Sequence, residues 1–152
     1  VSVSALTRRA PGSDLPGEQL STMVVAFEGD LVGHLTSTWL ARGLPVQELR
    51  VDTTTGSFVA AREQPMAGEA VGRAEVAGAA EEVAFPDDGP VTHAVASYGS
   101  SWRELALAVR EGREPAHSGR DNLATMGIME AAYLSAARGG AAVTVAEALA
   151  HG

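Results

Sequence analysis

Apolar and polar residues alternate through Val1–Thr7 (VSVSALT), the pattern of a strand buried on one face. A Pro- and Gly-rich loop, RRAPGSDLPGE, follows. Two β-rich runs come next, Gln19–Phe27 and Leu31–Leu40. They are split by EGD, a hairpin signal in which Gly29 supplies the positive φ of a tight turn. ARGLP is a further turn, and Gln47–Asp52 and Gly56–Arg62 form a second hairpin-like pair around TTTG. Weaker strands are predicted at Gly72–Gly78 and Glu81–Phe85.

The period then changes. Ser101–Gly112 places Trp102, Leu105, Ala106 and Val109 on one stripe, which predicts an amphipathic helix burying that stripe, with Arg103, Glu104 and Arg110 opposite and Gly112 as its stop. A second helix is predicted over Asp121–Arg138, with Ser118 as N-cap and Gly139 as C′ residue. Leu123, Met126, Gly127, Glu130, Leu134 and Ala137 fall along its predicted inner side. AVTVAEAL closes the chain as a short strand or turn. Strands followed by helices, without βαβ alternation, predict an α+β fold. The expected form is an open, mostly antiparallel sheet of five to seven strands with two C-terminal helices packed on one face, all in a single domain over residues 1–152.

Composition narrows the function classes. The formal charge is −8 and all eleven basic residues are Arg, with no basic cluster beyond Arg8–Arg9, which argues against nucleic acid as a partner. No Cys is present, so disulfides and zinc–thiolate sites are excluded, as suits a cytoplasmic protein. No Lys is present either, which excludes a Schiff base and a Walker A loop. No apolar run has the length of a membrane span or a signal peptide. The chain starts at Val1 without an initiator Met, consistent with processing or with a piece of something longer.

The candidate chemistry is sparse. None of His34, His93, His117 and His151 has metal-ligand spacing. His34 reads as a hydrogen-bonded strand residue beside Thr36 and Thr38, whereas His93 precedes AVASYGSSW, a polar approach to a helix that suits a pocket lining. Ser100 and Ser101 read as caps at that helix start, since GSSW is not a nucleophile elbow. PDDG is a turn sequence. Trp39 and Arg42, in STWLARG, suit either the holding of a sugar or carboxylate, or sheet packing with an ion pair. Glu130, on the apolar stripe, is expected to be a structural carboxylate tied to backbone N–H groups or an Arg.

The segment GREPAHSGRDNLATMGIMEAAYLSAARGG resembles the closing part of Gfo/Idh/MocA-type oxidoreductases, with an SG-x-D loop leading into a helix that ends EAAYxSA. VSVSAL, VVAFEGDLVGHLTSTWLARG, LRVDTTTGSFVA and SSWRELALAVREGREP resemble that family's earlier C-terminal-domain motifs, in order. Asp52 and Thr53 stand where a Gly is common, and the usual Phe of the fourth motif is missing. The resemblance implies the substrate-side domain of a two-part enzyme acting on sugars or polyols. The partner would be a Rossmann domain holding NAD or NADP, and homo-oligomers would form through the sheet face.

The chain has no G-x-G-x-x-G, no E-K-P lysine and no D-x-x-x-H helix, so it is expected to bind no cofactor or metal by itself. No catalytic residue can be carried over from the family. The substrate-binding candidates are Trp39, Arg42, His93 and Tyr98. Two alternatives stay open. One is a stand-alone small-molecule binding module or repurposed non-redox enzyme, in which His93, Glu130 and Asp52 are the ionisable groups to consider. The other is a purely structural dimer.

Overall fold

The computed structural model describes residues 1–40, 47–62, 70–76, 79–83 and 93–151. Two compact units emerge, one from Val1–Leu40 with Glu114–Gly152 and the other from Ala41–Arg113. The α+β class and the antiparallel pairing are as expected, but the described strands are dealt into two four-stranded sheets, one per unit.

In the first unit, β1 (Ser2–Arg8), β2 (Leu20–Ala26) and β3 (Val32–Thr38) form a meander. The β2–β3 turn closes with the Phe27 N–H donating to the Leu31 carbonyl at 2.9 Å. Gly29 takes the predicted positive φ, and Asp30 shares it, alone among the described non-glycine residues. On the other side of β1 lies β8 (Val143–Thr144), giving the order β3-β2-β1-β8. The closing segment AVTVAEAL is thus a two-residue strand that runs directly into a helix, α3 (Val145–Leu149).

The long helix of this unit, α2 (Gly119–Ala137), packs on β1 and α3. The Ser118 hydroxyl caps it by accepting from the Asp121 N–H at 3.1 Å. Its end is a Schellman motif: the Gly139 N–H donates to Ala136 and the Gly140 N–H to Ser135, both glycines lying at positive φ. The core joins Val3, Ala5, Met23 and Val25 of the sheet to Ala131 and Ala132 of α2, with Val143 and Ala148. Each Val buried there contributes about 1.5–3 kcal/mol.

The buried stripe of α2 matches the predicted one only in part: Gly127 is buried and Leu134 packs against the core as expected, but the rest is shifted. Gly127, Ala131, Ala132 and Ser135 face inward, whereas Leu123 and Met126 are exposed. Small residues win these positions because the helix sits close. A Cβ on Gly127 would fall 2.7 Å from a Val145 methyl. Glu130 is exposed, so no burial penalty has to be met and the structural role expected for it has no basis. One buried polar group not expected from the sequence is Ser135. Its hydroxyl accepts from the Ala5 N–H at 2.9 Å and donates to the Ala141 carbonyl at 2.7 Å, joining helix, strand and loop.

The second unit holds β4 (Gln47–Asp52), β5 (Gly56–Arg62), β6 (Ala70–Val76) and β7 (Ala79–Val83) in sequential order, each antiparallel to the next. The β4–β5 turn is tied by Thr53, whose hydroxyl donates to the Gly56 carbonyl at 2.9 Å and accepts from the Thr55 and Gly56 N–H groups. The unit's helix, α1 (His93–Glu111), begins eight residues before its predicted start. The stretch read as a polar approach is helical, and Ser100 and Ser101 lie inside the helix rather than at its cap. Another Schellman motif ends it, with Gly112 at positive φ and the Arg113 N–H donating to Ala108. Arg113 then folds back with two hydrogen bonds to Glu104, at 2.6 and 3.0 Å, and one to Glu111 at 2.8 Å. The stripe predicted to be buried on α1 is instead exposed, and among the described side chains of the helix Ala108 is the buried one.

Candidate functional site

Alternation along the strands of the first unit puts Val3, Ala5, Met23 and Val25 under α2 and sends their neighbours to the opposite face. The outward positions include Ser4, Leu6, Thr22, Val24, His34 and Thr36. Thr22 lies opposite Leu6 and Thr36, and Val24 opposite Ser4 and His34. The Thr22 hydroxyl bridges His34 Nε2 and Thr36 Oγ1, each at 3.1 Å. His34 is therefore a hydrogen-bonded, exposed strand residue, as expected. An open cleft of about 310 Å³ runs over Ser4, Leu6, Thr22 and Val24, bounded at the sheet edge by Gly139 and Gly140. It offers hydroxyls between apolar walls, which suits a small neutral ligand better than an ion.

Trp39 follows β3 directly. Its backbone N–H donates to the Gln19 carbonyl at 2.8 Å, and its side chain is 80% exposed. Gln19 is buried and anchors the whole 9–18 loop. Its amide oxygen accepts from the Ala10 N–H, and its amide nitrogen donates to the Gly17 carbonyl, both at 2.9 Å. A second tie to this loop comes from Tyr133 on α2, whose hydroxyl donates to Glu18 at 2.7 Å. That bond holds the Glu18 carboxyl below its ordinary range and raises the Tyr133 phenol above its own.

The other candidates are placed as follows. Arg42 lies outside the described residues. His93 is the first residue of α1, with its side chain outside the description, and Tyr98 lies on the same helix, 70% exposed. Trp39 belongs to the first unit, whereas His93 and Tyr98 belong to the second. Asp52 is engaged on both oxygens. Arg50 donates to them at 2.8 and 3.0 Å, and the Ser57 hydroxyl adds a bond at 2.5 Å. The Arg50 hydrogen bonds, then that from Ser57, hold its carboxyl below the ordinary range, so it is bound as an anion rather than poised as a base. Among the described residues, no group of three or more His, Asp or Glu could hold a metal ion, and no helix is long and apolar enough to cross a membrane.

Gln19, Ser135 and Tyr133 were not found from sequence. Gln19 sits at a strand entrance after a Pro/Gly loop, and Ser135 interrupts an alanine run. Those are the local signals that mark them.

No family model and no curated protein matches the sequence. Solved structures do match its fold. An oxidoreductase from Agrobacterium radiobacter, in complex with NAD+, L-tartaric acid and magnesium, has a TM-score of 0.78 at 18% identity, covering 95% of this chain and 43% of its own. An aldose-aldose oxidoreductase from Caulobacter crescentus, complexed with glycerol, has a TM-score of 0.74 at 20% identity, covering 95% and 41%. The WlbA dehydrogenase from Bordetella pertussis, in complex with NADH and UDP-GlcNAcA, has a TM-score of 0.52 at 17% identity, covering 93% and 37%. The chain thus shares its fold with part of these oxidoreductases and spans about two-fifths of their length.

Proposed function

We propose that the chain is the substrate-side domain of a Gfo/Idh/MocA-type oxidoreductase, in which both units, over residues 1–152, work as one substrate and assembly domain. The observation that carries this reading is the coverage: nearly the whole chain follows the fold of part of several oxidoreductases. The family motifs quoted above, in order, support it. The substrate class is sugar- or polyol-like, with Trp39, Arg42, His93 and Tyr98 as wall residues. The setting is cytoplasmic, and the open face carrying Val24 and His34 is the surface for pairing with a second copy.

The chain's own residues do not fit a dinucleotide. Every described strand pairing is antiparallel, so the described residues form no parallel switch-point crevice, and the sequence has no G-x-G-x-x-G loop. NAD or NADP therefore belongs to a separate Rossmann part, and hydride transfer is not the work of this chain alone. The cleft over Ser4 and Thr22 favours a second reading, a stand-alone small-molecule binding module.

The decisive experiment is to read the gene and its neighbours, and then to assay the complete natural protein with NADH and a panel of aldoses and polyols. Turnover by the complete protein, with Trp39→Ala raising KM, supports the domain reading. Micromolar NADH binding by this chain alone overturns the separation of roles. Ligand binding without any nucleotide-binding part leaves the module reading.

A further inference from the structure

The 9–18 loop is braced from within. The Ser13 N–H donates to the Ala10 carbonyl at 3.1 Å, Arg9 Nη2 donates to the Ser13 carbonyl at 2.9 Å, and the Ser13 hydroxyl accepts from the Leu15 N–H at 3.2 Å. Two ties then hold the loop to the rest of the first unit. One is the exposed bond from Tyr133 on α2 to Glu18. The other is Gln19, which is 3% exposed.

Gln19 also reaches both neighbouring strands. Its N–H donates to the Arg8 carbonyl of β1 at 3.0 Å, and its carbonyl accepts from the Trp39 N–H, just past β3, at 2.8 Å. In a regular antiparallel pair both groups of a residue serve the same neighbour. Here they are divided between two, so the bend at Gln19 sets where Trp39 leaves the sheet. The side chain adds the loop, with the Ala10 N–H donating to one end of the amide and the Gly17 carbonyl accepting from the other. Only a group that both accepts and donates can make this pair of bonds, and burial makes losing either one costly. The sheet does not need them: β2 already pairs with β1 and with β3 over seven residues each. Gln19 thus couples loop and Trp39 through bonds that lie within the first unit.

We infer that Gln19 is a positioning residue: it fixes the 9–18 loop and Trp39 relative to each other, so that the two form one preformed wall for a sugar or polyol. The inference rests on the functional reading above, in which Trp39 lines the substrate pocket, and adds the loop and the residue that sets both. A preformed wall removes the cost of ordering a loose loop at each binding event. Loosening it therefore raises KM for the sugar and leaves KM for the dinucleotide unchanged.

The test is a double-mutant cycle in the complete natural protein, with D-glucose, D-xylose and glycerol as substrates and NAD+ or NADP+ as oxidant. Gln19→Leu keeps the bulk but can neither accept nor donate. It should raise KM for the sugar about threefold or more, with kcat within about twofold and the dinucleotide KM unchanged. Trp39→Ala should raise the same KM, and the double variant should raise it no further than the larger single effect. Independent, multiplying effects overturn the inference, as does an unaltered KM in Gln19→Leu. A second readout is Gln19→Glu, whose carboxyl makes both bonds only when protonated. Its KM, relative to that of the unaltered protein at each pH, should fall towards one as pH falls; a ratio that does not change with pH overturns the inference. If Gln19→Leu does not fold, Tyr133→Phe, which frees the exposed end of the loop, replaces it in the cycle with a smaller expected rise, and independence from Trp39→Ala again overturns the inference. If the unaltered protein turns over none of the three substrates, the functional reading fails and the positioning role with it. If it turns one over and the cycle shows no coupling, the positioning role alone fails.

Discussion

The two units use the same strand grammar to different ends. In each, four strands pair antiparallel into one sheet. In the first, α2 lies on the sheet and converts one face into a core of Val3, Ala5, Met23 and Val25. In the second, Leu49 and Val51 of β4 are exposed, as are Tyr98, Trp102, Leu105 and Val109 of α1. Alternation makes a strand, but only a covering element makes a core. The residues that decide covering are small: Ala131 and Ala132 are buried in the core between α2 and the sheet, and Gly127 lets α2 close on α3.

The largest expected effect sets one unit directly against the other. Met23→Ala should cost about 2–5 kcal/mol in urea denaturation, because it empties a buried position in the first unit. Val51→Ala, exposed on β4, should change stability by at most about 0.5 kcal/mol. Equal losses would break the contrast and mean that β4 is covered in solution. Next comes Ser135→Ala, which leaves the Ala5 N–H buried without its acceptor and should cost about 1–3 kcal/mol. Amide exchange at Ala5 should accelerate in the same variant, and an unchanged rate would remove Ser135 from its joining role. Ser118→Ala, losing the α2 cap, should cost about 1 kcal/mol by thermal melts.

The smallest effect is electrostatic. Glu18 is held below its ordinary range in the folded protein, so the stability it contributes is present above the ordinary glutamate pKa and is lost as pH falls through the lowered value. Tyr133, held above its own, contributes below the ordinary tyrosine pKa and loses that share as pH rises through the raised one. Tyr133→Phe should therefore move the Glu18 midpoint upward in an NMR titration and flatten the acid limb of stability. An unmoved midpoint would mean that the 9–18 loop is not tied to α2 in solution.

Legibility followed the range of the interaction. The EGD turn, the Ser118 cap and the glycine stops at Gly112 and Gly139 were readable because each is settled within a few residues of chain. The start of α1 was misread because Gly99 and a run of serines look like a loop, yet Ala94 and Ala96 sustain the helix through them. The inner face of α2 was misread because large apolar residues are ordinarily taken as the buried ones. There the close packing against Val145 and Leu149 demanded small ones, and Leu123 and Met126 were left outside. For the same reason Glu130, which seemed to need a partner, sits at the surface. Of the substrate-wall candidates, the sequence named Trp39, but nothing local announced that the Gln19 carbonyl, across the β2–β3 pair, would hold its backbone.

By itself, the sequence determined the antiparallel α+β class, the turns and helix ends, and the absence of Lys and of a dinucleotide loop. All of these are written in neighbouring residues or in composition. The tertiary structure decided which side of each helix is inside, the return of β8 to β1 across the length of the chain, and the anchoring of strand, helix and loop on the single hydroxyl of Ser135. The last two depend on groups more than a hundred residues apart meeting in one place, and the first on packing partners outside the helix itself, and no local pattern encodes such meetings.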